Sequence, residues 1–181
     1  MNLRTVGHGT LPEEDFAALV SDAGIRLVVD VRSFPASRRH PQFGREAMER
    51  WLPDVGVAYR WEPRLGGRRR PRPDSPHRAL RVAAFRGYAD HMEQAEFSDA
   101  VDELLAEAGT RPAAVMCAES VWWRCHRRLL ADAAVLLRGA AVDHLFHDGR
   151  LDAHRPTPVA RVDGQRLVYD GGEPGLPLRE S

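Results

Sequence analysis

Short, uniformly apolar runs alternate along this chain with longer stretches of helical spacing. Residues 3–6 read as a first strand ending in Gly7-His8-Gly9. Thr10 is expected as the N-cap of a helix with Pro12 in its first turn, Glu13 at the capping-box position and Gly24 as its stop. Phe16, Leu19, Val20 and Ala23 supply its buried stripe. Residues 26–31 form a second strand, apolar throughout Leu27-Val28-Val29, as expected when helices cover both faces. A polar loop, a short helix over 45–52 and a third strand over 57–61 follow. Residues 63–76 are rich in Pro, Gly and Arg and read as a long loop. Helical spacing returns over 83–92 and 96–108, where Phe97, Val101, Leu104 and Leu105 share a face. A strand over 113–117, a helix over 125–137, a fifth strand over 141–146 and a strand or hairpin within 158–169 complete the pattern.

Strands alternating with helices predict an α/β fold: a three-layer, mostly parallel, Rossmann-like sheet with helices on both faces. Residues 1–150 are expected to form one domain and 151–181 a partly irregular extension packed on or near it. Sheets of this kind place their sites outside the carboxyl ends of the strands. Those ends carry His8, then Asp30 and Arg32, then Cys117 and Glu119, then His144. Reactive side chains at four strand ends are more than a structural domain needs.

The richest end is Met116-Cys117-Ala118-Glu119-Ser120, continuing through Val121-Trp122-Trp123-Arg124 to Cys125-His126-Arg127. It holds both cysteines of the 181 residues. A thiol facing helix N-terminal N–H groups and nearby Arg acquires thiolate character, which makes Cys117 a candidate nucleophile. Thiol phosphatases place Arg six positions after such a Cys; here that position is Trp123, with Arg124 one later. Cys117, Glu119 and Cys125 are also candidate metal ligands, and zinc or iron is the cofactor such a mixed set would take. If both lay on a helix, Cys125 and His126 would point about 100° apart and would not share one ion. A third possibility is a redox pair of Cys117 and Cys125.

Composition narrows the function classes. Net charge is zero, so no global field draws the chain to nucleic acid or membrane. No apolar run approaches the roughly 20 residues of a membrane span, and the first residues lack a signal-type apolar segment. A cytoplasmic location without membrane association is the expectation. The 26 basic residues are all Arg. Seven of them fall within residues 64–81 beside the single acid Asp74, which offers a second possible site, for nucleotide or nucleic-acid phosphate.

The series Thr5-Val6-Gly7-His8, Asp30-Val31-Arg32 with Pro35 and Ser37, Leu65-Gly66-Gly67, Phe85-Arg86-Gly87-Tyr88-Ala89-Asp90-His91-Met92, Met116-Cys117-Ala118-Glu119 and Cys125-His126-Arg127 resembles the bacterial "domain of unknown function 488" family. The resemblance implies a single α/β domain of uncharacterised biochemistry. Val121-Trp122-Trp123 departs from a segment that tends to be polar and charged in that family, and its two rings could cap the site or stack on a planar ligand.

Together these residues predict an enzyme-like pocket acting on an anionic small molecule or nucleotide by thiol or metal chemistry. Cys117, Glu119, Cys125, His126, Asp30 and His8 are the candidate catalytic groups. Arg32, Arg127, Arg68, Tyr88 and Trp122 are the candidate substrate-binding groups. The alternative is a nucleic-acid or nucleotide-binding module built on the Arg-rich loop.

Overall fold

The computed structural model describes residues 2–36 and 38–171; Ser37 and the end of the C-terminal extension lie outside the described residues. Its main sheet has six strands in the order β3-β2-β4-β1-β5-β6. These are β1 (Asn2–Gly7), β2 (Leu27–Asp30), β3 (Ala58–Trp61), β4 (Ala113–Cys117), β5 (Ala141–Leu145) and β6 (Leu151–Ala153). The first five are mutually parallel, and β6 closes one edge antiparallel to β5. The expected α/β architecture is therefore the one observed.

The alternation of side chains along the central strands explains the layering. Along β4, Ala113, Val115 and Cys117 join one core with Phe97, Leu104, Leu129 and Leu130, whereas Ala114 and Met116 join the other with Phe16, Val20, Met48 and Leu52. Helices α1 (Glu13–Asp22) and α2 (Arg45–Asp54) thus cover one face. Helices α3 (Ala83–Met92), α4 (Ala95–Thr110) and α5 (Arg127–Arg138) cover the other. From β1 the chain leaves toward β2 and β3; from β4 it crosses to β5 on the opposite side. The gap between β1 and β4 is the topological switch point, where such sheets open a crevice at their carboxyl ends.

Several local expectations are corrected. Helix α1 begins at Glu13 with Pro12 as its cap and no side-chain capping bond, so Thr10 does not cap it. Helix α5 begins at Arg127, because Trp122–Arg124 forms a separate 3-10 turn and Cys125 is extended at φ −122°, ψ 151°. β6 has no counterpart in the sequence reading. Beyond it, β7 (Ala160–Asp163) and β8 (Arg166–Tyr169) form an antiparallel hairpin. No helix among the described residues is long and apolar enough to cross a membrane.

The Arg-rich loop is anchored. Leu65 is fully buried, and its carbonyl accepts the Tyr88 hydroxyl at 3.0 Å. The backbone N–H of Arg72 donates to Asp90 at 2.8 Å, and its guanidinium pairs with Glu93 at 2.8 Å. Arg64 pairs with Glu62 and Glu103, while Arg69 is turned onto the Gly66 and Pro63 carbonyls. Three of the loop's arginines thus hold the loop itself. Arg68, by contrast, is exposed at the mouth of the crevice.

Candidate active site

The crevice at the carboxyl ends of β1, β2 and β4 is a cleft of about 420 Å³. Its floor comes from the first residues after each strand. Asp30, the last residue of β2, is fully buried yet fully occupied. Its Oδ1 accepts the Arg32 backbone N–H and Nε at 3.0 and 2.8 Å; its Oδ2 accepts Arg32 Nη2 at 2.6 Å and the Tyr59 hydroxyl at 2.7 Å. Arg32 then donates from Nη2 to the Phe43 carbonyl at 2.7 Å and from Nη1 to His8 Nε2 at 3.3 Å. Asp30 therefore points away from the opening and aims Arg32.

His8 is held between that donor and the Gly9 carbonyl, to which Nδ1–H donates at 2.9 Å, and it stacks on Phe43 with centroids 4.2 Å apart. Burial first, and the Arg32 charge second, push its pKa down to about 4. His8 is thus a neutral ring whose tautomer is fixed by its neighbours.

Cys117, Cys125 and His126 meet on the same floor. Cys117 Sγ and Cys125 Sγ lie 3.9 and 3.7 Å from His126 Nδ1, and all three ligating atoms are within 4.8 Å of one another. The adjacency of Cys125 and His126 does not separate them, because Cys125 is extended rather than helical and the 100° helical offset does not apply. On the other side of the ring, Nε2 lies 3.1 Å from the Val31 carbonyl. A carbonyl only accepts, so the proton sits on Nε2 and Nδ1 turns its lone pair toward the two sulfurs. The ring packs edge-on against Tyr88 at 5.0 Å and directly against Gly67, where a Cβ would stand 2.3 Å from Nδ1.

The two thiols differ. Arg127 is buried beneath them and donates from Nε to Cys125 Sγ at 3.3 Å, while its Nη2 donates to the Glu119 carbonyl. Burial opposes ionisation of Cys125, but the hydrogen bond from Cys117 and the Arg127 charge hold its thiol well below the usual range. Donating to Cys125, and buried beside its charge, Cys117 is raised well above that range. The negative charge therefore belongs on Cys125.

The predicted residues separate into three groups. His8, Arg32, Arg68, Cys117, Glu119, Cys125 and His126 line the cleft. Tyr88 and Arg127 lie under it, and Trp122 turns away to stack on His144 at 4.0 Å. Glu119 is an exposed rim residue ahead of the 3-10 turn, so it neither caps α5 nor joins the sulfurs; His126 stands where Glu119 was expected as third ligand. His144 does not project from a strand end. It is buried within β5 in a chain running from Thr5 Oγ1 (2.7 Å) through His154 (2.9 Å) to Asp132 (2.8 Å), which ties residues beyond 150 to the sheet. The sequence reading also missed Ser33, Phe34, His40, Phe85 and Arg124 on the cleft walls. Phe34 was the most legible of these, being a large apolar residue in a polar loop and 69% exposed.

Both buried imidazoles predict a pH response. Burial, followed by His154, pushes His144 down to about 3, and His8 stands at about 4. Unfolded, both titrate near pH 6.5. Below that pH the unfolded chain binds more protons, so stability is full above about 6.5 and falls as the pH drops toward 4 and then 3. Urea unfolding should show a loss of about 3–4 kcal/mol between pH 7 and pH 5, from roughly 1.4 kcal/mol per pH unit per group. Equal stabilities at the two pH values would refute the burial of both rings in neutral form.

Neither a curated protein nor a solved structure matches the chain in comparisons with known proteins. The family model described as "Domain of unknown function DUF488" matches residues 13–134, about two thirds of the chain. That span covers β2, β3, β4 and every side chain of the two-sulfur and imidazole cluster, and the chain belongs to this family of unknown function.

Proposed function

We propose that the cleft is the active site of an enzyme acting on a small anionic molecule, with Cys117, Cys125 and His126 as its reactive centre. The observation that supports this reading is the convergence of two sulfurs and an imidazole on the floor of a cleft whose walls carry Arg68 and Arg124. Both arginines are exposed to solvent, and Arg32 lies deeper, oriented by Asp30. Arg suits phosphate and carboxylate groups through its planar fork. Phe34 and Phe85 add apolar wall beside these charges, so the fitting substrate carries an anionic group on an apolar or planar body. Charge on Cys125, its hydrogen bond from Arg127 and the Nδ1 lone pair of His126 make the sulfurs the groups able to react with it.

The nucleic-acid reading has less support. Arg64, Arg69 and Arg72 are engaged within the loop, and the aromatic residue preceding it, Trp61, donates its ring N–H to the Arg32 carbonyl at 2.8 Å.

Inorganic pyrophosphate is a suitable probe. Calorimetry should show binding that weakens about tenfold or more, some 1.4 kcal/mol, in the Arg68→Ala/Arg124→Ala double variant. Bound pyrophosphate should also slow alkylation of Cys125 by iodoacetamide. Undiminished binding by the double variant, or alkylation indifferent to pyrophosphate, would remove the cleft from the reading.

A further inference from the structure

Two clusters of potential metal ligands lie among the described residues, and their hydrogen bonds distinguish them. His77, Asp90 and Glu93 converge around Arg72. There the Tyr169 backbone N–H donates to His77 Nδ1 at 3.2 Å, so the ring proton is on Nε2, the atom facing the carboxylates at 3.2 and 3.6 Å. A protonated nitrogen has no lone pair to give, and the Arg72 guanidinium already neutralises the acids. That cluster is an ion network holding the loop to α3.

In the second cluster the imidazole is turned the other way. Val31 takes the proton of His126 on Nε2, leaving Nδ1 to face Cys117 and Cys125. An acceptor on the far nitrogen is the arrangement that fixes a metal-binding imidazole. The distances agree with a shared ion better than with hydrogen bonds. A tetrahedral zinc with S bonds of about 2.3 Å and an N bond of about 2.0–2.1 Å requires S···N edges of roughly 3.6 Å. The two edges here are 3.9 and 3.7 Å, whereas the hydrogen bond from Arg127 Nε to Cys125 Sγ is 3.3 Å. All three residues line the cleft, and among the described residues no fourth His, Cys, Asp or Glu joins them.

We infer that Cys117 Sγ, Cys125 Sγ and His126 Nδ1 form a mononuclear zinc site whose fourth position opens into the cleft. This rests on the reading of the cleft as an active site and gives it a reaction class. Three protein ligands with one open position characterise catalytic rather than structural zinc. An ion there polarises an oxygen of a bound anion or activates a water molecule. Arg68 and Arg124 stand on the same walls to hold the anion, and Gly67 leaves room for the imidazole to keep its orientation.

The test is titration of reduced, chelator-treated protein with Zn²⁺ against a chromogenic chelator, followed by Co²⁺ substitution. The expected result is about one ion per chain. Cobalt should give thiolate charge-transfer absorption with the visible bands of tetrahedral coordination, and those bands should shift when pyrophosphate is added. Cys125→Ser and His126→Ala should each lose the ion. Gly67→Ala, which keeps all three ligands but crowds the ring, should weaken it at least tenfold.

Folded wild-type protein that takes up neither metal, or a Cys125→Ser variant that binds as tightly as wild type, would overturn the site. If zinc does not bind yet pyrophosphate still protects Cys125, the metal falls and a thiol active site stands. If zinc binds but no anion does, the site stands and the reading of the cleft falls.

Discussion

Replacing Asp30 by Ala is expected to lower stability by about 3–5 kcal/mol, the usual cost of removing one partner from a buried ion pair. For a chain of this length that is a fall in Tm on the order of 10 °C. Asp30 is wholly buried and Arg32 is 7% exposed, so the guanidinium left behind has little water to turn to. Arg32 would keep the Phe43 carbonyl and His8, but its three bonds to the carboxylate would go, and Tyr59 would lose its acceptor. Asp30→Asn retains one oxygen and should cost about half as much. Urea unfolding of the three proteins decides the matter: a loss below about 1 kcal/mol for Asp30→Ala would mean that the pair does not hold this end of β2.

The same residue shows what a sequence can and cannot disclose. An acid ending a buried apolar strand, with Arg two positions on, was recognisable as a paired charge. Which way the pair faced was not, because that depends on Tyr59 and Phe43 arriving from β3 and from the loop before α2. The sheet was legible because Leu27-Val28-Val29 and Ala113 to Cys117 are apolar without interruption. β6 was not, since Leu151-Asp152-Ala153 is too short and too polar to signal anything before β5 lies beside it. The site was half legible. Both cysteines stood out by number and neighbours, yet their partner was taken to be Glu119 because a continuous helix was assumed from Cys125. The 3-10 turn at Trp122–Arg124 shifts the helix start to Arg127, and this alone brings His126 to the sulfurs. Tyr88 and Arg127 belong to the motifs that pointed to the family, but they support the site from below rather than face a ligand.

Gly7→Ala should disturb that site without touching any of its reactive groups. Gly7 is the last residue of β1, opposite Cys117, and a Cβ there would stand 1.8 Å from the Glu119 carbonyl oxygen and 2.8 Å from Arg127 Nη2. Neither backbone can easily yield. His8 N–H donates to the Cys117 carbonyl at 3.0 Å, Gly9 N–H to that of Ala118 at 2.9 Å, and His147 donates to the Gly7 carbonyl at 2.7 Å. The turn after Cys117 must therefore move, and the Arg127 bond to Glu119 breaks with it. We expect a stability cost of about 3 kcal/mol, the upper end of overpacking, and alkylation of Cys125 in the folded protein faster by about tenfold or more as its cover loosens. Gly24→Ala is the control. Gly24 needs its left-handed φ of +67° but has nothing within 4 Å of a Cβ, so the substitution should cost backbone strain alone, about 1–2 kcal/mol. Thiol reactivity should not change there. If the two variants prove alike in both measurements, β1 and the Cys117 turn are not in the contact that holds Arg127 against Cys125.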